Sequence, residues 1–199
     1  MLPDFFSMLR ERLPNFEPGA LQDGVDFHHT TDSVFHDSAG FLQWQRASLA
    51  QLHELGLRRG PARAVAHAGV ELLLDLAIAQ ALDNCEHRPA AARFWQSYDA
   101  ALERGCRPLG KAAVPRKVVD RLQSLCGHLV QVGAERFRAP PERSVEVLER
   151  AVRGRPRLEM SQTEVRAAKR WAASFFPSVK AGLPDLLRDL EKGLAATTS

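Results

Sequence analysis

Cysteine is scarce in this chain: Cys85, Cys106 and Cys126 are the only three in 199 residues, and no two stand in a Cys-x-x-Cys spacing. So sparse and odd a count speaks against a disulfide framework and fits a reducing interior. The N-terminal stretch MLPDFFSMLRERL carries an acid at Asp4 and no unbroken apolar core, so no secretory signal is expected. The longest apolar run, Val70 to Leu82, is interrupted by Glu71 and Asp75, and no membrane span is expected either. Charge of one sign is also lacking, with 27 Lys and Arg against 24 Asp and Glu, a formal +3 and a pI near 9.0. That excess is too mild for nucleic acid, whose readers concentrate a basic stripe. There is no Gly-rich phosphate loop, and neither Ser97 nor Ser124 nor the cysteines have a nucleophile–base context. The expectation is a soluble cytoplasmic protein with no nucleic acid or membrane partner.

What is present is a globular composition, 45% hydrophobic and 26% charged. A chain of this length buries roughly 70% of its unfolded surface and needs no staples. The apolar periodicity is helical almost throughout, and strand signals are close to absent. Pro, Gly and capping residues punctuate about nine helices. They start near Pro3, Pro18, Ser38, Pro61, Pro89, Pro115, Pro141 and Ser161, with a last one after Pro177. Gly56 closes the third, and Ser161-Gln-Thr-Glu164 has the form of a capping box. The helix after Pro61 is apolar on most sides, which makes it central. The fold expected is all-α, a single compact domain over 1–194 with a frayed tail over 195–199.

Two helices place polar residues among apolar ones. In GVDFHHTTDSVFHD, residues 24–37, Gly24, His28, Asp32 and His36 share one stripe, flanked by Leu21, Val25 and Phe35. His28 and Asp32, one turn apart, suit a single ion held between an imidazole nitrogen and a carboxylate oxygen. The alternative is a solvated helix face with local His–Asp pairs. On the apolar helix, His67, Glu71 and Asp75 recur every four residues along one line. If that line is buried, the two carboxylates ask for a cation; if it lies at an edge, they cost nothing. A His/Asp pair facing a His/Glu/Asp line makes a mixed nitrogen–oxygen site suited to Mn, Fe or Zn, or to Mg with waters. His36 reads as a surface residue. RGRPR, residues 153–157, offers Arg155 and Arg157 to a phosphate, against the blander reading of a basic turn. The tryptophans Trp44, Trp95 and Trp171 sit at core spacing.

Taken together, these stretches resemble the acyl carrier protein phosphodiesterases, a helical family related to the HD-type phosphohydrolases. Gly24-Val25, His28-His29, Asp32 and Asp37 look like the family's G-[IV]-x-x-H-[RH]-x-x-D-x-[FV]-x-D, with one extra residue before the last Asp. Met1-Leu2-Pro3-Asp4-Phe5 resembles the second half of its Gly-Asn-Leu-Leu-x-Asp-Phe stretch. Glu71-Leu-Leu-Leu-Asp75-Leu76 is similar to its Asp-x-x-x-Asp-His helix, with Leu76 in place of the histidine. Gly154 to Leu158 resembles its Arg-Pro-Arg-Leu turn. The resemblance implies an HD-like fold and a divalent metal, typically Mn. It also implies hydrolysis of the phosphodiester joining 4′-phosphopantetheine to a serine of acyl carrier protein. It implies His28, Asp32, Glu71 and Asp75 as ligands, with Asp4 as a further one, and His29 or Asp37 as orienting or proton-moving groups; His67, two turns before Asp75 on the same line, is a candidate to stand in for the missing histidine. A mildly basic surface would suit the acidic carrier protein. The missing imidazole at Leu76 keeps a second reading open, a non-catalytic helical scaffold that binds a ligand in a degenerate groove.

Overall fold

A computed structural model describes residues 3, 6, 11–84, 88–104, 114–132 and 139–197. Among them there are seven helices and no strand: α1 (Ala20–Asp37), α2 (Ala39–Glu54), α3 (Arg59–Asp83), α4 (Arg88–Arg104), α5 (Arg116–Val132), α6 (Glu142–Val152) and α7 (Gln162–Thr197). The all-α expectation holds, with seven helices rather than nine. The short helix expected to end before Pro14 falls largely on residues outside those described, and 11–17 are not helical.

The other difference is a merger. Pro177 was expected to end one helix and start another, yet α7 runs for 36 residues with Pro177 and Pro184 inside it. A proline ring removes one backbone bond to the carbonyl four residues earlier. Here Pro177 and Pro184 are exposed, as are Ala173 and Lys180, whose carbonyls lose their donors, so water can take up those bonds. The opposite face keeps Trp171, Phe175, Val179, Leu183 and Leu186 buried, and that burial holds the helix together across both prolines. α7 continues through Thr197, into the stretch expected to fray.

The chain divides into two compact units, 1–33 with 86–136, and 34–85 with 137–199. In the first, α4 packs on α5, and Phe6, Val118, Leu122 and Cys126 form a small buried cluster. In the second, α3 packs against α2, α6 and α7. Its core includes Phe41, Leu52, Val65, Val70, Leu73, Val145, Leu148, Trp171 and Val179. By length and composition α3 could cross a membrane, Glu71 and Asp75 notwithstanding; half of its most apolar window is buried inside the protein. The central role expected of it fits that burial.

Local signals in the second unit act as read. The Ser38 hydroxyl accepts from the Phe41 amide (3.3 Å) and caps α2. At its other end Gly56 takes φ +85°, Gly56 N–H donates to the His53 carbonyl and Leu57 N–H to the Leu52 carbonyl. Those paired bonds form the left-handed glycine cap that stops the helix. The capping box forms too: Ser161 N–H donates to Glu164 Oε2 (2.8 Å) and Glu164 N–H to Ser161 Oγ (3.2 Å).

Candidate metal centre

The site begins with an irregularity in α3. Residues Val65–Gly69 form a π turn, one wider than the α-helix on either side. Such turns insert one residue into a helix and are frequent at functional sites. Gly69 closes the turn where a side chain would be crowded: a Cβ there would lie 3.1 Å from the Trp171 ring, which would have to give by a few tenths of an ångström. Within the turn stands His67, and one helical turn on stands Glu71, so both project on one side of α3.

The last turn of α1 meets them. His36 is held by Phe35, which packs on the core beside it, and by Phe41, whose ring lies edge-on to His36 at 4.9 Å. The same Phe41 ring lies edge-on to His67 at 5.6 Å, and Phe41 itself is fully buried. The two imidazoles stack, centroids 4.9 Å apart and planes 17° from parallel. Both direct Nε2 at one carboxylate oxygen: Glu71 Oε1 lies 3.3 Å from His67 and 3.7 Å from His36. A donor atom from each of the three residues lies within 4.8 Å of the other two, and among the described residues this is the one group of three or more such ligands.

Two imidazoles and a carboxylate are a donor set for zinc, manganese or iron. Ligand atoms about 2.1 Å from a shared tetrahedral ion stand about 3.4 Å apart, close to the 3.3 and 3.7 Å found here. The donor types and these two spacings fit an ion, which the stacked rings would both meet in plane only after one of them turns. His67 also has an outer partner, since Gln45 Nε2 lies 2.8 Å from its Nδ1. With the amide placed so, Nδ1 accepts and Nε2 carries the proton that Glu71 takes. Turning the amide over exchanges its donor for its acceptor. Nδ1–H then donates to Gln45 Oε1, and the Nε2 lone pair is released to an ion, the usual support for a ligating histidine. The side chains are 28% exposed at His36, 48% at His67 and 36% at Glu71, so the group is open to solvent on one side.

The residues singled out by sequence scatter around this group. His67 and Glu71 belong to it. Asp75, the third member of the line, is exposed, so its carboxylate requires no cation to balance burial. His28 and Asp32 lie half-buried on the part of α1 that belongs to the first unit, whereas the group lies in the second. His29 is exposed with its ring 5.8 Å from that of His28, and Asp37 is exposed at the end of α1. Asp4 lies outside the described residues. Arg155 and Arg157 are exposed in the turn between α6 and α7. That turn serves through its backbone: the Arg155 carbonyl accepts from Leu158 and Glu159 N–H, and the Arg157 carbonyl packs so tightly on Gly60 that a Cβ would overlap it. The residue the sequence reading left on the surface, His36, is central. Its signal was the stripe itself, where His36 stands four residues after Asp32 and beside Phe35.

Compared with protein-family models, with curated proteins and with solved structures, the chain finds no match.

Proposed function

We propose that this protein is a metal-dependent phosphoester hydrolase whose ion is held by His36, His67 and Glu71. The observation that carries this reading is the convergence of two Nε2 atoms on Glu71 Oε1, open to solvent on one side. Three protein ligands are the pattern of a catalytic centre, because they leave coordination positions for water and substrate. A bound divalent ion supplies a water of lowered pKa and polarises a phosphoryl oxygen. The chain's own part is to hold that ion: Glu71 provides charge, the two imidazoles provide nitrogen donors, and Gln45 with its amide turned over would set the ligating tautomer of His67. Phe35 and Phe41 keep water off the inner side of the rings. The resemblance in motif order to the acyl carrier protein phosphodiesterases makes holo-acyl carrier protein, with Mn, one substrate to assay beside small phosphoesters.

The test starts from chelator-treated protein dialysed against Mn or Zn and analysed for bound metal. The expected result is about one ion per chain, hydrolysis of bis(p-nitrophenyl) phosphate only by loaded protein, and loss of both in His36→Ala with its melting temperature kept. Wild-type protein that stays empty, or a His36→Ala variant that loads normally, overturns the assignment.

A second reading, a non-catalytic helical binder, is favoured by the Gln45 amide as placed. Its Nε2–H is directed at His67 Nδ1, which leaves His67 Nε2–H for Glu71 in a metal-free hydrogen-bonded pair. Leu76, where the family pattern has a histidine, points the same way. Empty wild-type protein that still binds a ligand is the outcome expected of that reading.

A further inference from the structure

His67 has a second environment. It lines a pocket of about 540 Å³ between α2 and the start of α3, together with Gln45, Arg46, Leu49, His53, Arg59, Arg63 and Ala66. Three of these are arginines, and none of the described residues lining it is acidic. Elsewhere in the second unit Arg143 pairs with Glu146, Arg153 with Glu149 and Arg188 with Asp185, whereas the exposed Arg150, Arg155, Arg157 and Arg170 form no ion pair with a described residue and lie apart from this pocket. What sets Arg46, Arg59 and Arg63 apart is that they make no ion pair with a described residue and all three line one concavity. Three unpaired guanidiniums around one concavity repel one another and lower that repulsion by gathering an anion. Their planar forks match phosphate and carboxylate oxygens two at a time.

The pocket is not uniformly polar. Leu49 and Ala66 line it among the arginines, so it can take an apolar or planar body beside the charged group. Its volume is that of a small-molecule site, whereas a docked protein needs about 800 Å² of surface on each partner. Because His67 belongs both to this lining and to the metal group, a ligand filling the pocket abuts the centre.

From this we infer that the pocket is an anion subsite, and that the substrate is a small phosphorylated molecule with two acidic groups. One group goes to the centre at His36, His67 and Glu71, and the other to Arg46, Arg59 and Arg63. The subsite stands on the arginines alone; its part in substrate choice rests on the hydrolase reading above.

Calorimetric titration of chelator-treated, metal-free protein with inorganic pyrophosphate separates the two. Saturable binding that weakens as salt rises is expected. Arg59→Ala and Arg63→Ala should each weaken it about tenfold and the double variant more, while Arg150→Ala, on α6 outside the pocket, leaves it unchanged. These arginines are exposed, so thermal melts should confirm that the variants fold as wild type does. No saturable binding, or binding indifferent to Arg59 and Arg63, overturns the subsite. Arginine-dependent binding of an acidic carrier protein in place of pyrophosphate overturns the small-molecule assignment. Failure of the hydrolase reading looks different: pyrophosphate still binds through the arginines, but the protein takes up no metal.

Discussion

Two charged constellations in the second unit invite comparison, one around Glu164 and one around Glu71. The Glu164 carboxylate is 6% exposed and every direction is occupied. Oε1 accepts from the Arg58 backbone N–H (2.9 Å) and from Arg58 Nε (3.0 Å), while Oε2 accepts from Arg58 Nη2 (2.9 Å) and from Ser161 N–H (2.8 Å). The Arg58 side-chain bonds above all, with the backbone and Ser161 bonds behind them, hold the Glu164 carboxyl down to about 2 against the opposing effect of burial. The same guanidinium donates to the Glu159 carbonyl, tying the segment before α3 to the start of α7. Glu71, by contrast, is a third exposed and faces two imidazoles that are both potential ligands. A carboxylate whose acceptors are all used belongs to the fold. One that is a third exposed and shares an oxygen between two imidazole nitrogens is the candidate for chemistry.

Variants can break this contrast in a definite order. Glu164→Ala should cost about 3 kcal/mol of stability, read by urea unfolding, because it removes a buried, multiply bonded charge and a helix cap, and metal uptake should not change. The same carboxyl sets an acid limit. Its pKa is about 2 in the folded protein against an ordinary 4.5, so its contribution is complete above about pH 5 and is lost as pH falls towards 2. Stability measured from pH 6 to pH 2 should fall less steeply in Glu164→Gln than in wild type, and equal slopes would refute the assignment. Glu71→Gln should reverse the Glu164→Ala pattern, with Mn affinity down about a hundredfold or more and stability within about 1 kcal/mol. Gln45→Leu removes only the support behind His67, so about a tenfold loss of metal affinity is expected, with the fold intact. Smallest of all is Ser48→Ala. The Ser48 hydroxyl is fully buried with no hydrogen-bond partner among the described residues, so its removal should be neutral or stabilise by up to about 1 kcal/mol.

The local signals in the sequence were legible because each is carried by a few adjacent residues. Ser38, Gly56 and the Ser161/Glu164 box mark helix ends in the structure as they do in the sequence. The prolines of α7 were misread because local propensity counts a lost hydrogen bond, whereas the unbroken apolar stripe from Trp171 to Leu186 outweighs it. At the site, His67 and Glu71 were visible as a polar line on an apolar helix. Asp75 lies on the same line, and only its exposure separates it from them. For His36 the stripe was visible and its direction was not. Periodicity says which residues share a face, and the neighbouring helices decide which part of that face turns inward.

By itself, then, the sequence determined the all-helical class, most helix boundaries and the supply of imidazoles and carboxylates, since these follow from spacing along one chain. Tertiary structure alone decided that His36 joins His67 and Glu71, that the π turn carries His67, and that three arginines line one pocket beside it. Those facts depend on where separate helices meet, and no periodicity within a single helix encodes the position of its neighbour.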